Sequence, residues 1–313
     1  MSIFKVPLSI IVKSMAKGNA KFNREHRTFG DYNIKKDINY ISDDTKSHRL
    51  DIYTNPVKQN GITLFYIHGG GYVEGYKEDH QVFASWFVNE GFNFVVINYR
   101  LGKKDGSISI MDQVSDAMAA LKFVEDNKNY YGIKTDKLFL VGDSAGGHIA
   151  LMVDILLRNK EAQDYYKIEN LPNVDIKGIA LNSTMYDYQG VVSQARGMLF
   201  KKGQRWMLTD KVKDKEFINK NDPRYYFKNG FKPLPLFAST SYHDFFNSQT
   251  LRLKRDADEL GIDLDCLFES SPDKAIGHVY NHFCFDREEG IKCNKRMVDF
   301  FLKKSNVANW YFI

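Results

Sequence analysis

Apolar runs of strand length alternate along this chain with segments whose apolar residues recur every three to four positions. Residues 62–67 (Ile-Thr-Leu-Phe-Tyr-Ile), 94–98, 137–141, 176–181, 234–239 and 264–268 are the candidate strands. Several are hydrophobic almost without interruption, which predicts burial on both faces. Met111, Val114, Met118, Leu121 and Val124 keep the 3.6-residue period, so 110–127 reads as an amphipathic helix with one face on a sheet; 248–260 and 289–303 read likewise. Strand and helix in alternation predict βαβ units and a mostly parallel sheet with helices on both faces, an α/β architecture. Residues 48–53 read as an edge strand.

Two stretches break the rhythm. Residues 1–30 precede the strands, and 183–232 bring aromatic and basic residues, among them Tyr186, Tyr188, Phe200, Trp206, Phe217, Tyr225 and Tyr226. Insertions of that length in a compact domain tend to be lids or binding elements. Both are read as cap elements over the sheet of a single domain spanning 1–313.

Composition narrows the function classes. With 43% hydrophobic and 27% charged residues, 22 Gly and 7 Pro in 313 residues, collagen-like, disordered and low-complexity chains are excluded. The 44 basic against 39 acidic residues leave a net charge of +5, but the basic residues are scattered, whereas a nucleic-acid footprint needs a clustered stripe. Cys266, Cys284 and Cys293 make no disulfide framework and lack zinc-ligand spacing, which fits a reducing cytoplasm. The apolar run 6–12 is at the lower limit for a signal peptide and Lys13 interrupts it, so the N-terminus is read as a retained amphipathic helix. No later run has the roughly 18 apolar residues of a membrane span.

The chemistry begins at Gly142-Asp143-Ser144-Ala145-Gly146, set between a strand pattern and a helical one. Gly-x-Ser-x-Gly in that context is a nucleophile elbow. Its glycines are needed where side chains would collide with neighbouring backbone, and the turn lifts Ser144 Oγ above the sheet at the N-terminus of a helix. A second signal, His68-Gly69-Gly70-Gly71-Tyr72, ends an earlier strand. Three glycines in a row weaken helix and strand alike, so they are read as exposed backbone N–H groups. Such preorganised donors are worth about 3–4 kcal/mol each in acyl transfer. His68 is expected to orient this loop rather than move protons.

A serine nucleophile needs a base and a group that orients the base. In the chain order of this arrangement, the acid follows the next-to-last strand and the histidine the last. That order gives Asp244 and His278. His282 is the rival base, set aside because it lies where the chain turns apolar again; His243 is read as a surface residue. Asp222 and Asp273 are weaker acid candidates. His278 and His282 are also spaced as an i,i+4 metal pair, but no motif glutamate or third ligand accompanies them, so neither metal nor cofactor is expected.

Taken in order, His68-Gly-Gly-Gly-Tyr72, Asn98-Tyr-Arg-Leu101, Gly142-Asp-Ser-Ala-Gly-Gly147, Asp244 and His278 resemble the α/β-hydrolase esterases of the hormone-sensitive-lipase-like group over about residues 45–303. The resemblance implies the α/β-hydrolase fold with a cap from the N-terminus and an inserted segment. It implies Ser144 as nucleophile, His278 as general base and acid, and Asp244 as the carboxylate fixing its tautomer. The oxyanion hole would be the N–H groups of Gly70, Gly71 and Ala145, with Gly69 the alternative, and Asp143 would position the elbow or the substrate entrance. One departure stands out: Gly102-Lys-Lys-Asp-Gly106 occupies the place of the group's usual Ala-Pro turn. The expected activity is hydrolysis of short-chain or acetyl esters through an acyl-enzyme. Amide hydrolysis of the arylformamidase type and a non-catalytic small-ligand binder are the alternatives. The expected partner is a small-molecule ester, with no nucleic acid and no membrane span; a homo-oligomer is compatible with the sequence.

Overall fold

The computed structural model describes residues 28–103, 105–198 and 214–306, with a few scattered positions before 28. Among the described residues eight strands form one sheet: β1 (Asn33–Asn39), β2 (Arg49–Thr54), β3 (Thr63–Ile67), β4 (Asn93–Ile97), β5 (Leu138–Asp143), β6 (Ile176–Asn182), β7 (Leu236–Ser241) and β8 (Leu264–Glu269). Their order is β1-β2-β4-β3-β5-β6-β7-β8. From β4 to β8 every neighbouring pair is parallel, and β1 and β2 join antiparallel at one side. All six predicted runs are strands of this sheet.

The edge assignment is corrected. The segment predicted at 48–53 is β2, which pairs on both sides, and the edge strand is β1. In Asn-Ile-Lys-Lys-Asp-Ile-Asn only Ile34 and Ile38 are apolar, and most of the strand is exposed. An edge that resists pairing with other chains is polar, and so it gives little hydrophobic signal.

Alternate residues of each central strand feed two cores. Phe65, Ile67, Leu138, Leu140, Ile179 and Leu181 face one side, against Val114 and Leu121 of α2 (Ile110–Tyr131), Ile149 and Met152 of α3 (Ala145–Arg158) and Leu253 of α8 (Asn247–Leu260). Leu64, Tyr66, Phe94, Phe139 and Phe237 face the other, against Phe83 and Phe87 of α1 (Gln81–Asn89) and Met297, Phe300 and Phe301 of α9 (Glu288–Lys304). Each buried large side chain contributes about 1.5–3 kcal/mol, so the two-sided burial fixes the strand register that aims the loops. The start of α2 is set by Ser109 and Asp112, whose side chains form a capping box, and its end by Gly132 in the left-handed conformation.

Between β6 and β7 the chain forms α5 (Tyr188–Met198), α6 (Lys215–Lys220) and α7 (Pro223–Lys228), with α4 (Lys160–Tyr166) following α3. Of the aromatic residues noted in the insertion, Tyr186, Tyr188, Phe217 and Tyr226 are buried. Phe200 and Trp206, like residues 1–13, lie outside the described residues. Among the described residues no helix is long and apolar enough to cross a membrane.

Candidate active site

β5 runs straight to Asp143 and α3 starts at Ala145, so Ser144 alone makes the turn between them. Its backbone sits at φ 52° and ψ −117°, a region that costs a non-glycine residue on the order of 1–3 kcal/mol. The glycines make that turn possible: a Cβ on Gly142 would lie 2.6 Å from the Gly146 carbonyl carbon. From Leu138 to Leu156, Ser144 is the only residue that is not buried. Its N–H donates to Asn182 O at 2.9 Å, tying the elbow to the end of β6.

The glycine loop after β3 packs against the elbow: a Cβ on Gly146 would run into the Ile67 and His68 backbone. Gly70 and Gly71 have φ of 117° and 59°, and Tyr72 follows at φ 71°. Gly70 needs its missing side chain, because a Cβ there would run into the Glu74 backbone. Ala145, as the first residue of α3, has an N–H without an acceptor inside the helix. These are the three donors expected from the sequence.

Asp143 is buried. Its Oδ1 accepts the Gly69 N–H at 2.8 Å and the Tyr66 hydroxyl, so it holds the start of the glycine loop against the elbow. Burial raises its pKa, against the opposing effect of those hydrogen bonds. His68 is fully buried and stacked on Tyr99 at 4.4 Å, with Nδ1 bonded to Gly69 O at 2.7 Å. Burial lowers its pKa to about 4, so it is neutral.

Asp244 and His278 come together. His278 Nδ1 lies 2.7 Å from Asp244 Oδ1. The same carboxylate accepts the Phe246 N–H at 2.8 Å on Oδ1 and the Thr240 hydroxyl at 2.7 Å on Oδ2. A carboxylate only accepts, so the imidazole proton belongs on Nδ1 and the Nε2 lone pair is free. Burial opposes ionisation of Asp244, but His278 and the other donors outweigh it and hold its pKa below the ordinary value. Phe245 packs on the His278 ring at 4.4 Å.

The rivals are elsewhere. His282 is buried, stacked on Phe83 at 3.7 Å, and its two nitrogens lie 3.5 Å from the Tyr66 hydroxyl and 3.4 Å from Asn182 Nδ2. His243 bonds to Pro272 O, and Asp273 pairs with Arg287 at the surface. Asp222 is buried and caps helices, accepting the N–H groups of Tyr188, Gln189 and Arg224. The His278/His282 pair is therefore split between two environments. A different set, His80, Asp143 and His282, brings its ligand atoms within 4.8 Å of one another. The Tyr66 hydroxyl sits among them, donating to Asp143 and 3.0 Å from His80 Nδ1, so a protein group already links these side chains.

A largely parallel sheet with a strained serine between strand and helix, and a late Asp–His pair beyond β7 and β8, defines an α/β-hydrolase fold. The chain belongs to the BD-FAE family, whose model matches residues 50–255. Esterase B from Lactobacillus rhamnosis superposes with a TM-score of 0.83 over 94% of each chain at 20% identity. An esterase from the bacterial hormone-sensitive lipase family does so at 0.68, over 97% of this chain and 100% of the other, at 19% identity. Among curated relatives, bovine (Bos taurus) arylacetamide deacetylase is 33% identical over 146 residues, 43% of this chain and 36% of that protein. The isoprenylcysteine alpha-carbonyl methylesterase of Arabidopsis thaliana is 30% identical over 109 residues, 34% of this chain and 25% of that protein. The Pseudomonas putida ethyl acetate hydrolase is 32% identical over 95 residues, 30% of this chain and 29% of that protein. The chain thus matches roughly a quarter to a third of the length of these relatives. The family and fold agree with the resemblance read from the HGGG and GDSAGG motifs.

Residues that no motif announced complete the site. Tyr66, Thr240, Ser183 and His148 are ordinary positions in the sequence, and only the fold brings them to the loops they hold.

Proposed function

We propose that the protein is a serine carboxylic-ester hydrolase acting on short-chain or acetyl esters, with Ser144 as nucleophile, His278 as base and Asp244 as its orienting carboxylate. The observation that carries this reading is the 2.7 Å hydrogen bond from His278 Nδ1 to buried Asp244, which leaves Nε2 as the basic nitrogen; the strained, partly exposed turn at Ser144 supplies the hydroxyl.

In this mechanism His278 takes the Ser144 proton as Oγ attacks the ester carbonyl. The N–H groups of Gly70, Gly71 and Ala145 receive the oxyanion. His278 then gives the proton to the departing alcohol, and water activated by the same base releases the acid. Each donor acts on charge that develops only in the transition state, so it lowers the barrier without tightening the ground state. The names of the similar ethyl acetate hydrolase and methylesterase support ester substrates with small groups. The three free cysteines fit a reducing, cytoplasmic setting.

A second reading, amide hydrolysis, is favoured by the 33% identity to a protein named arylacetamide deacetylase. Turnover of 4-nitrophenyl acetate, butyrate and octanoate is to be compared with that of an N-formyl arylamine. Fastest turnover of the acetate supports the proposal, and amide turnover above all esters replaces it. A fluorophosphonate probe should label the wild type and not Ser144→Ala; an unlabelled wild type would favour a non-catalytic binder.

A further inference from the structure

Tyr72 is a bulky residue in the left-handed region, at φ 71°, immediately after the two glycines of the oxyanion loop. Such a conformation persists only where the surroundings enforce it. Its backbone carbonyl accepts the Gly102 N–H at 2.8 Å and Gln113 Nε2 at 2.7 Å. Its hydroxyl lies 2.7 Å from His148 Nδ1, fully buried.

His148 belongs to α3, one turn beyond Ser144, and its other nitrogen, Nε2, lies 2.8 Å from Asn221 O at the end of α6. A carbonyl oxygen only accepts, so Nε2 carries the proton, Nδ1 is the acceptor, and Tyr72 donates to it. The ring also stacks on Tyr188 of α5, 5.4 Å between centroids and 10° from parallel. One imidazole therefore touches the oxyanion loop, the nucleophile helix and two helices of the inserted segment.

We propose that His148 is a positioning residue: through Tyr72 it fixes the oxyanion loop over Ser144, and through Asn221 and Tyr188 it ties that loop to the segment between β6 and β7. The role rests on the hydrolase reading for its effect on rate, but the clamp itself is a property of the folded chain. Asp143 holds the loop at Gly69 and His148 holds it at Tyr72, so Gly70 and Gly71 are stretched between two buried anchors. Removing the second anchor leaves the donors in place but lets them wander, and misplacement by a fraction of an ångström weakens transition-state stabilisation more than substrate binding.

The test compares wild type, Tyr72→Phe, His148→Leu, the double variant and His148→Gln, whose amide can still donate to Asn221 and accept from Tyr72. With 4-nitrophenyl acetate, Tyr72→Phe and His148→Leu should each lower kcat by about tenfold with KM within about twofold. The double variant should be no worse than His148→Leu alone, because that substitution already removes the one hydrogen bond that Tyr72→Phe removes. His148→Gln should recover to within about threefold of wild type. Hydrogen exchange of residues 69–76 should quicken in Tyr72→Phe and His148→Leu relative to wild type. An unchanged kcat, losses that multiply in the double variant, losses confined to KM, or unaltered exchange over 69–76 overturns the proposal. Should the wild type neither turn over the ester nor take the fluorophosphonate label, the hydrolase reading fails, and the exchange data alone then decide the clamp.

Discussion

The N–H of Val279 donates to the Ser183 hydroxyl at 2.9 Å, and both residues hold left-handed backbones, at φ 57° and 50°. Asn182, the residue before Ser183, accepts the N–H of Ser144 at 2.9 Å. The end of β6 thus pins the Ser144 turn on one side and the chain just after His278 on the other.

Ser183→Ala should release the Val279 N–H from its acceptor. The expected stability loss is about 1–2 kcal/mol, from a buried donor left unpaired. A drop in kcat of about tenfold should accompany it, as the His278 loop loses its fixed position. Urea melts and ester kinetics check both; an unchanged kcat would show that β6 does not set the histidine.

Ser144→Gly should abolish turnover and yet stabilise the fold. Glycine relieves the strain of φ 52°, and after its own entropic cost a gain of about 1 kcal/mol remains. Thermal unfolding of the variant beside Ser144→Ala separates strain relief from loss of the hydroxyl. Equal melting points for the two would remove strain from the account.

Asp244→Asn keeps the shape of the acid but lets the imidazole adopt the wrong tautomer, so kcat should fall by about 10⁴-fold. The sign of the pH effect follows from the depressed pKa of this carboxyl. The unfolded chain takes up the proton first as pH falls, so the stabilisation from the His278–Asp244 pair is complete above about pH 4 and is lost as pH drops through the lower folded value. Acid unfolding of wild type against variant reads this directly: the variant should lack that part of the low-pH transition.

Asp222 works in the opposite sense. Burial first, and the charge of Asp187 second, push its pKa up to about 7. A raised folded value means that the contribution of this group to stability is greatest below about pH 4 and declines as pH rises through 7, by on the order of 2–4 kcal/mol. Asp222→Asn keeps a carbonyl for the helix N–H groups and removes the titration. The variant should be the more stable protein at pH 8 and should lose the decline between pH 4 and 7. Parallel pH profiles of the two proteins would contradict this.

The clearest local patterns survived folding almost unchanged. Hydrophobic runs placed six strands, and the helix predicted over 110–127 is α2, longer at its C-terminal end by four residues, to Tyr131. Gly142, Gly146 and the three glycines after His68 marked the backbone turns, because close approach and positive φ leave few other residues possible. Chain order singled out Asp244 and His278 from among several acids and histidines.

What the sequence by itself determined was therefore the alternation of the α/β sheet, the serine turn and the order of the triad candidates, since each is written in local spacing. Only the tertiary structure decided that β1 lies outside β2, that Asp143 turns inward to Gly69, that His282 belongs to the Tyr66 cluster and that His148 reaches Tyr72. Those outcomes depend on which groups meet across the fold, from 10–21 residues apart in β1 and β2 to 216 for Tyr66 and His282, and on how burial makes each one find a partner, and no local period encodes such meetings.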